Sequence, residues 1–397
     1  MSTLTETHRS LEATAPAAYR GHILELDAIR AIGIFIVLVN HSWPREVSNV
    51  IFRLGEMGWI AMDAFFVLSG FLITGILLDT RSRPDYFRNY YTRRSLRIFP
   101  LYYLVLAAIV VMALLSRGGN GSEYSHLVRT WGSPGWFAVY LGNFKMAVSG
   151  DRPPVLALAP LWSLQVEEQF YLLFPFAIRW MRREHLSRML WCMVILSPLF
   201  RVAFYLYNPS NTAPEYVLLP CHMEGLALGA LIAIRFRSGP WNLSKGRLTV
   251  YTITMLAITC IAPILASPRK LDIGWYSTFN RLAGYSLSSF ACAGLVLWLI
   301  QFRGSTYTRA LRIAPIQYLA KISYGIYLLH EMASRCMRWL ESRTGYFPPD
   351  GLLRFFSIVA LSILFASISW YFFEGPLVRL KDRLAPSHPP DRTAVQV

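Results

Sequence analysis

Charged side chains are scarce: Asp, Glu, Lys and Arg make up 16% of the 397 residues, while 54% are hydrophobic. A soluble domain averages about 25% charged residues, so a water-soluble enzyme of this size is excluded, as is a disordered chain. Acidic residues are the scarcer sign, 23 Asp+Glu against 39 Lys+Arg. The excess does not indicate nucleic acid as a partner, because nucleic-acid binders concentrate charge on a soluble scaffold. Cysteine is limited to five residues, at 192, 221, 260, 292 and 336, odd in number and without CxxC spacing. Neither a disulfide framework nor a metal site is expected, and the thiols read as small buried hydrophobes. Residues 1–22 lack the apolar core of a cleavable signal peptide. The phosphate loop GxxxxGK[ST], the zinc motif HExxH, a dinucleotide fingerprint and the GxSxG elbow are also missing.

What the chain has instead is long apolar runs. A bilayer core of about 30 Å needs roughly 20 apolar residues per helix. Ten segments qualify: 24–43, 57–78, 98–116, 160–178, 189–207, 216–234, 249–266, 281–301, 315–333 and 353–373. An eleventh, 134–148, is short and carries Gly, Asn and Lys. With ten spans and the N-terminus inside, the inner segments hold 23 Lys+Arg and the outer ones 11. Making 134–148 span would turn RWMRREHLSR outward, against the positive-inside bias. The expected fold is therefore an all-α polytopic integral membrane protein of about ten transmembrane helices, with both termini cytoplasmic and a re-entrant or interfacial segment near 134–148. Its divisions are a cytoplasmic segment over 1–23, a membrane domain over 24–376 and a cytoplasmic tail over 377–397. The Gly- and Pro-containing outer loop 117–159 reads as a lid or substrate mouth.

Ionisable groups inside such spans need a partner or a function. In the first span Arg30 and His41 are eleven residues apart. That is three helical turns plus roughly 20°, so they share a face about 16 Å apart, with Asp27 one turn before Arg30. A cation at one level and an imidazole at another suit an extended anionic ligand with a reactive end. The bland reading is that Arg30 snorkels to the interface and His41 caps the helix. In the second span Asp63 and Gly70 share a face, and Ser69-Gly70 permits close helix packing. Arg93, Arg94 and Arg97 open the third, where guanidinium forks match phosphate oxygens. In the fourth, Ser163, Glu167 and Tyr171 line one face with Glu168 beside them. A partner for one of these carboxylates is expected among Arg30, Arg201 and His41, as catalytic orienter or as structural ion pair. His222 and Glu224 lie in the sixth span, and SYGIYLLHE in the ninth places Ser323 and His330 on one face.

The ordered set Leu26-Asp27, Arg30-x10-His41, FFVLSGFLI, RRSLRIFPLYYL, PLWSLQVEEQFYLLFP, SYGIYLLH and Phe373-Glu374-Gly375-Pro376 resembles the membrane-bound acyltransferase-3 family, over residues 24–376. The resemblance implies an enzyme of the cytoplasmic (inner) membrane. Such enzymes move an acyl group, usually acetyl, from cytoplasmic acyl-CoA to a hydroxyl of a cell-surface or exported glycan. The family's Arg-x10-His pair falls on Arg30 and His41, and its arginine-rich turn on Arg93, Arg94 and Arg97. Two departures stand out: Ala28 where members often have Gly, and His222-Met223-Glu224 where Arg-x-Asp is common. The hydrolase-like domain that some members carry is not expected within 377–397.

On this reading His41 is the general base and Glu167 or Glu168 orients it. Arg30, Arg93, Arg94 and Arg97 hold the donor's phosphates, and Ser69, Tyr171, His222, Glu224 and His330 are candidate substrate contacts. Direct transfer ranks above an acyl-enzyme on Ser69 or Ser163. The donor co-substrate is acyl-CoA, acetyl-CoA first; the partners are bilayer and glycan, with no nucleic acid and no metal. The rival reading is a transporter or flippase of a lipid-linked sugar, which predicts inverted repeats and broken helices; no such symmetry is visible. A sensor or scaffold leaves stacked arginines below a same-face histidine unexplained. The acceptor, the acyl chain and the oligomeric state are open at this point.

Overall fold

The computed structural model describes residues 22–44, 55–115, 133–151, 153, 156–239, 243–266, 277–345 and 351–385. Among them there is no strand. In lipid every backbone N–H and C=O must be satisfied within the segment, so apolar runs of this length fold as helices. A long helix lies on each of the ten expected segments: α1 (Leu24–Ser42), α2 (Trp59–Thr80), α3 (Tyr86–Leu115), then, after the short α4 (Gly142–Ser149), α5 (Leu161–Trp180), α6 (Arg183–Tyr207), α7 (Leu219–Phe236), α8 (Lys245–Ala266), α9 (Tyr285–Gln301), α10 (Ala314–Thr344) and α11 (Leu352–Ser369). The amphipathic α12 (Gly375–Leu384) follows, and π-helical turns at Asn280–Gly284 and Trp370–Glu374 lead into α9 and out of α11.

Among the described residues, seven helical stretches are long and apolar enough to cross a membrane: those of α2, α3, α6, α7, α8, α9 and α11. The other three long helices, α1, α5 and α10, are the ones that carry Asp27 and Arg30, Glu167 and Glu168, and His330 and Glu331. They turn those groups inward. α1 packs on α10 and α2, and α5 packs on α2 and α4. Ile32 and Phe35 of α1 stay on the exposed side, as do Leu196 and Leu199 of α6 and Ile253 and Ile261 of α8. Apolar surface this extensive suits lipid rather than water.

Two expectations about loops are corrected. Helix α3 begins at Tyr86 and α10 runs on to Thr344, so much of 79–97 and of 334–352 is helix. Helical hydrogen bonding does not stop where apolarity stops, and a hydropathy window cannot see an amphipathic extension. The 134–148 segment folds as a turn of helix at Gly135–Ala138 and as α4. Eight residues make about 12 Å of helix, too short to cross. Its polar residues dock it: Asn143 N–H donates to Gln165 Oε1 (2.6 Å), Asn143 Nδ2 to the Val217 carbonyl (3.1 Å), and Gln169 Nε2 to Asn143 Oδ1 (3.0 Å). Most of the expected lid, residues 117–132, lies outside the described residues, as do 1–21 and 386–397.

Helix α2 is strongly apolar, with Asp63 and Ser69 among the exceptions, and is buried over most of its length. Its contact with α7 is close enough to require glycine. A Cβ on Gly70 would sit 2.0 Å from the Leu226 carbonyl oxygen, and one on Gly229 2.0 Å from that of Val67. Reciprocal glycines let two backbones approach where side chains would hold them apart. Gly70→Ala is expected to lower stability by at least about 1–3 kcal/mol, the usual cost of overpacking. The measurement is the thermal-unfolding midpoint of detergent-purified protein. Gly246→Ala, whose methyl meets nothing closer than 3.9 Å, should leave the midpoint in place. Equal midpoints for both variants would contradict the close crossing.

Candidate active site

Helices α1, α2, α3, α5 and α10 enclose a cavity of about 130 Å³. Arg30, Arg94 and Arg97 line one end, Ser69 and Glu167 the middle, and Ser163 and Tyr327 the other end; Phe65, Phe66 and Leu68 supply an apolar wall. A water needs about 10–15 Å³ of such space, so the cavity has room for several waters or for part of a ligand.

The three guanidinium groups at its mouth differ in their surroundings. Arg30 Nη1 is 2.6 Å from Asp27 Oδ1, and Asp27 Oδ2 also meets His22 Nε2 at 2.7 Å. Arg94 lies over the Tyr171 ring, 3.7 Å from its centroid, with Glu168 Oε1 3.7 Å from Nε. Arg97 has no carboxylate within ion-pair distance among the described residues and faces open space. It is the cation with spare capacity for an anion. Arg93 is not part of the cavity: its Nη1 donates to the Ala385 carbonyl at 2.7 Å and secures the end of α12.

Of the two α5 carboxylates, Glu167 lines the cavity and Glu168 does not. Ser69 Oγ donates to Glu167 Oε1 at 2.7 Å, and the nearest cation to Glu168 is Arg94. Neither carboxylate is placed on His41, and Arg201 pairs elsewhere. The carboxylate that meets His41 is Glu331, its Oε1 3.1 Å from Nδ1. His330 Nε2 is also 3.1 Å from His41 Nδ1, with the rings edge to face at 4.9 Å. His41 thus faces α10 rather than lipid, with 29% of its side chain exposed. The cavity lining stops at Ser163 and Tyr327 and does not include His41. Tyr327 joins the two regions, since it lines the cavity, bonds Ser163 Oγ through its hydroxyl (2.6 Å), and accepts the His330 Nδ1 proton on its carbonyl (2.7 Å).

With both rings neutral, that last bond sets the tautomers. Neutral imidazole carries one N–H. If His330 donates from Nδ1 to Tyr327, its Nε2 holds a lone pair. His41 must then carry its proton on Nδ1, shared between Glu331 and His330, which leaves His41 Nε2 as a bare acceptor.

His222 and Glu224 are brought to a different place. His222 Nε2 donates to the Tyr216 carbonyl (2.7 Å), and Nδ1 is 3.7 Å from Asp63 Oδ1. Phe66, Trp162 and Tyr285 pack around the ring. Glu224 accepts from Arg201 (2.7 Å) and Ser286 (2.8 Å), and Arg201 is fully buried. A second buried pair, Arg281 and Glu215 at 2.5 Å, lies in the same region. These groups tie α6, α7 and α9 together and do not line the cavity. Sequence reasoning missed Glu331 and Tyr327. Both stand in SYGIYLLHE, and a carboxylate directly after an intramembrane histidine was the available signal.

Taken together, the fold and this region define a polytopic helical protein with a guanidinium-rimmed cavity and a histidine pair on adjoining helices. The acyltransferase domain of the acyltransferase-3 family covers residues 23–371, and the chain belongs to that family. Over 380 residues it is 24% identical to the peptidoglycan O-acetyltransferase OatA of Listeria monocytogenes, covering 90% of this chain and 56% of that protein. It is 27% identical over 331 residues to YrhL of Bacillus subtilis, whose naming as a peptidoglycan O-acetyltransferase is provisional, covering 78% of this chain and 48% of that one. The chain therefore spans about half the length of these curated relatives. No solved structure shows significant similarity to it.

Breaking a buried ion pair by removing one partner costs about 3–5 kcal/mol, because the other charge is stranded. Glu224→Ala is therefore expected to lower the thermal midpoint sharply, and Glu224→Ala with Arg201→Met to recover much of the loss. Recovery is the diagnostic result. A Glu224→Ala protein of unchanged stability would contradict a structural role for the pair.

Proposed function

We propose that the protein transfers an acyl group, acetyl in the first instance, from cytoplasmic acyl-CoA to a hydroxyl of a cell-envelope glycan, with His41 as general base. The family supports acyl transfer, and the names of the relatives support O-acetylation of a glycan. The single observation that carries the catalytic assignment is the contact of His41 Nδ1 with Glu331 and His330, which leaves Nε2 free. The positive-inside bias supports a cytoplasmic-membrane protein whose Arg30, Arg94 and Arg97 end faces the cytoplasm.

In this reading Arg97, with Arg30 and Arg94 beside it, takes the donor's phosphates at the cavity mouth. The thioester arm enters the cavity and the nucleotide stays outside. Ser69 and Glu167 shape the channel wall, and Tyr171 supports Arg94 through its ring. His41 Nε2 removes the acceptor's hydroxyl proton as the oxygen attacks the thioester carbonyl. The new C–O bond forms, the C–S bond breaks, and the departing thiolate takes the proton back from His41. Glu331 steadies the transient imidazolium, as the carboxylate does in a triad. Holding donor and acceptor in one geometry supplies much of the rate.

Membrane vesicles given labelled acetyl-CoA and a glycan acceptor test this reading. His41→Ala is expected to lower transfer about 10²–10⁴-fold, the range for a lost general base, with the protein still folded in the membrane. Glu331→Gln should lower kcat by more than about tenfold, as loss of a tautomer-fixing carboxylate does. Arg97→Ala should raise the KM for acetyl-CoA and leave kcat nearly unchanged. Near-normal transfer by His41→Ala would sink the base assignment, and an unmoved KM in Arg97→Ala would remove the phosphate role.

A further inference from the structure

The contact that prepares His41 as a base also brings together three atoms able to ligate a metal. His41 Nδ1, His330 Nε2 and Glu331 Oε1 lie 3.1, 3.1 and 3.7 Å apart, contributed by α1 and α10. Around a tetrahedral ion with bonds of about 2.0–2.1 Å, neighbouring ligand atoms stand roughly 3.3–3.4 Å apart. The three spacings bracket that value. We propose that His41, His330 and Glu331 form a site for a divalent first-row metal ion of the zinc class, whose occupancy silences acyl transfer.

Three features support the site beyond the spacing. First, His330 Nδ1 donates to the Tyr327 carbonyl at 2.7 Å. Metal-bound histidines almost always place their second ring N–H on such an acceptor, which fixes the ring and aims the other nitrogen's lone pair. Second, the side chains are graded in exposure. His330 is buried at 2%, Glu331 is at 17% and His41 at 29%. The anchor is thus rigid, and the open side leaves a fourth position to water. Third, the donor set is selective. Two imidazole nitrogens with one carboxylate suit zinc and its first-row neighbours; magnesium and calcium prefer oxygen ligands alone. Among the described residues this is the one group of three such side chains with converging ligand atoms. Cysteine spacing and the HExxH motif give no sign of such a site, because this set is assembled from helices some 290 residues apart.

Silencing follows from which nitrogen the metal takes, and this part rests on the reading of His41 as base. A neutral imidazole coordinated through Nδ1 keeps its proton on Nε2. The metal-free form has the reverse arrangement, with the proton on Nδ1 and the lone pair on Nε2. Metal and catalytic lone pair are therefore mutually exclusive on one ring. No bond of the substrate is involved; the ring gives up its Nδ1 proton to solvent and takes one from solvent on Nε2, a change of tautomer with no net release.

The test uses full-length protein, purified without a histidine tag, stripped with a chelator and reconstituted in nanodiscs. Zinc binding is read by competition with a chromophoric chelator, and acetyl transfer is measured on the same samples. The expected result is one zinc per chain, with affinity falling more than tenfold in His330→Ala and in Glu331→Gln and unchanged in His222→Ala. Wild-type transfer should fall as zinc is added, recover with chelator, and be indifferent to magnesium. Glu331→Gln keeps the shape of the side chain and stands in if His330→Ala does not fold. No zinc binding at micromolar concentration, or equal binding by wild type and both site variants, overturns the site. Zinc bound at these three residues with transfer undiminished keeps the site, overturns the silencing, and counts against His41 as base.

Discussion

A polar group inside a lipid-embedded bundle costs several kcal/mol unless another group satisfies it, and this constraint decides how the helices are arranged. The helices able to pass through lipid on apolarity alone form most of the bundle. The three that cannot, α1, α5 and α10, are held by pairing their polar residues across helix boundaries. Glu167 of α5 takes Ser69 of α2, and Glu331 of α10 takes His41 of α1, while Asp27 and Arg30 pair within α1. These partnerships act together with the buried apolar residues that each of the three helices adds to the core, such as Ile34, Phe170 and Ile326.

The same constraint sorts the polar residues into two groups. Arg201 with Glu224, and Arg281 with Glu215, are fully desolvated, and each cation has its carboxylate at hydrogen-bond distance. Pairs of this kind hold a fold. Around the cavity the pairing is incomplete. Among the described residues Arg97 has no carboxylate of its own, and His41 keeps one ring nitrogen unengaged. Unspent capacity of this kind sets a reaction site apart from a structural network, although both consist of the same residue types.

Much of this was legible in the sequence. Apolar runs located every long helix, because length and hydropathy are one-dimensional properties. The Ser69-Gly70 pair announced a close crossing, and Gly70 lies against the Leu226 carbonyl. Helical periodicity placed Arg30 in the cavity and left the reason for α5's carboxylates open. What periodicity cannot supply is the neighbour. It gives the direction in which a side chain leaves its helix and says nothing of which helix stands there. His41 therefore received Glu167 or Glu168 as its expected partner, while the fold sets α10 beside α1 and offers Glu331. Arg93 went to Ala385, and His222 and Glu224 to a separate cluster, for the same reason. Lines of sight between helices belong to the tertiary structure alone.

The account turns on where one proton resides. Selective ¹⁵N-histidine NMR of the metal-free protein in nanodiscs reports it directly, with the His41 signals identified by their loss in His41→Gln. The account predicts a protonated Nδ1 and an unprotonated Nε2 on His41 at neutral pH. A proton found on Nε2, with Nδ1 bare against Glu331 and His330, would contradict it, because the nitrogen assigned to receive the acceptor's proton would already hold one.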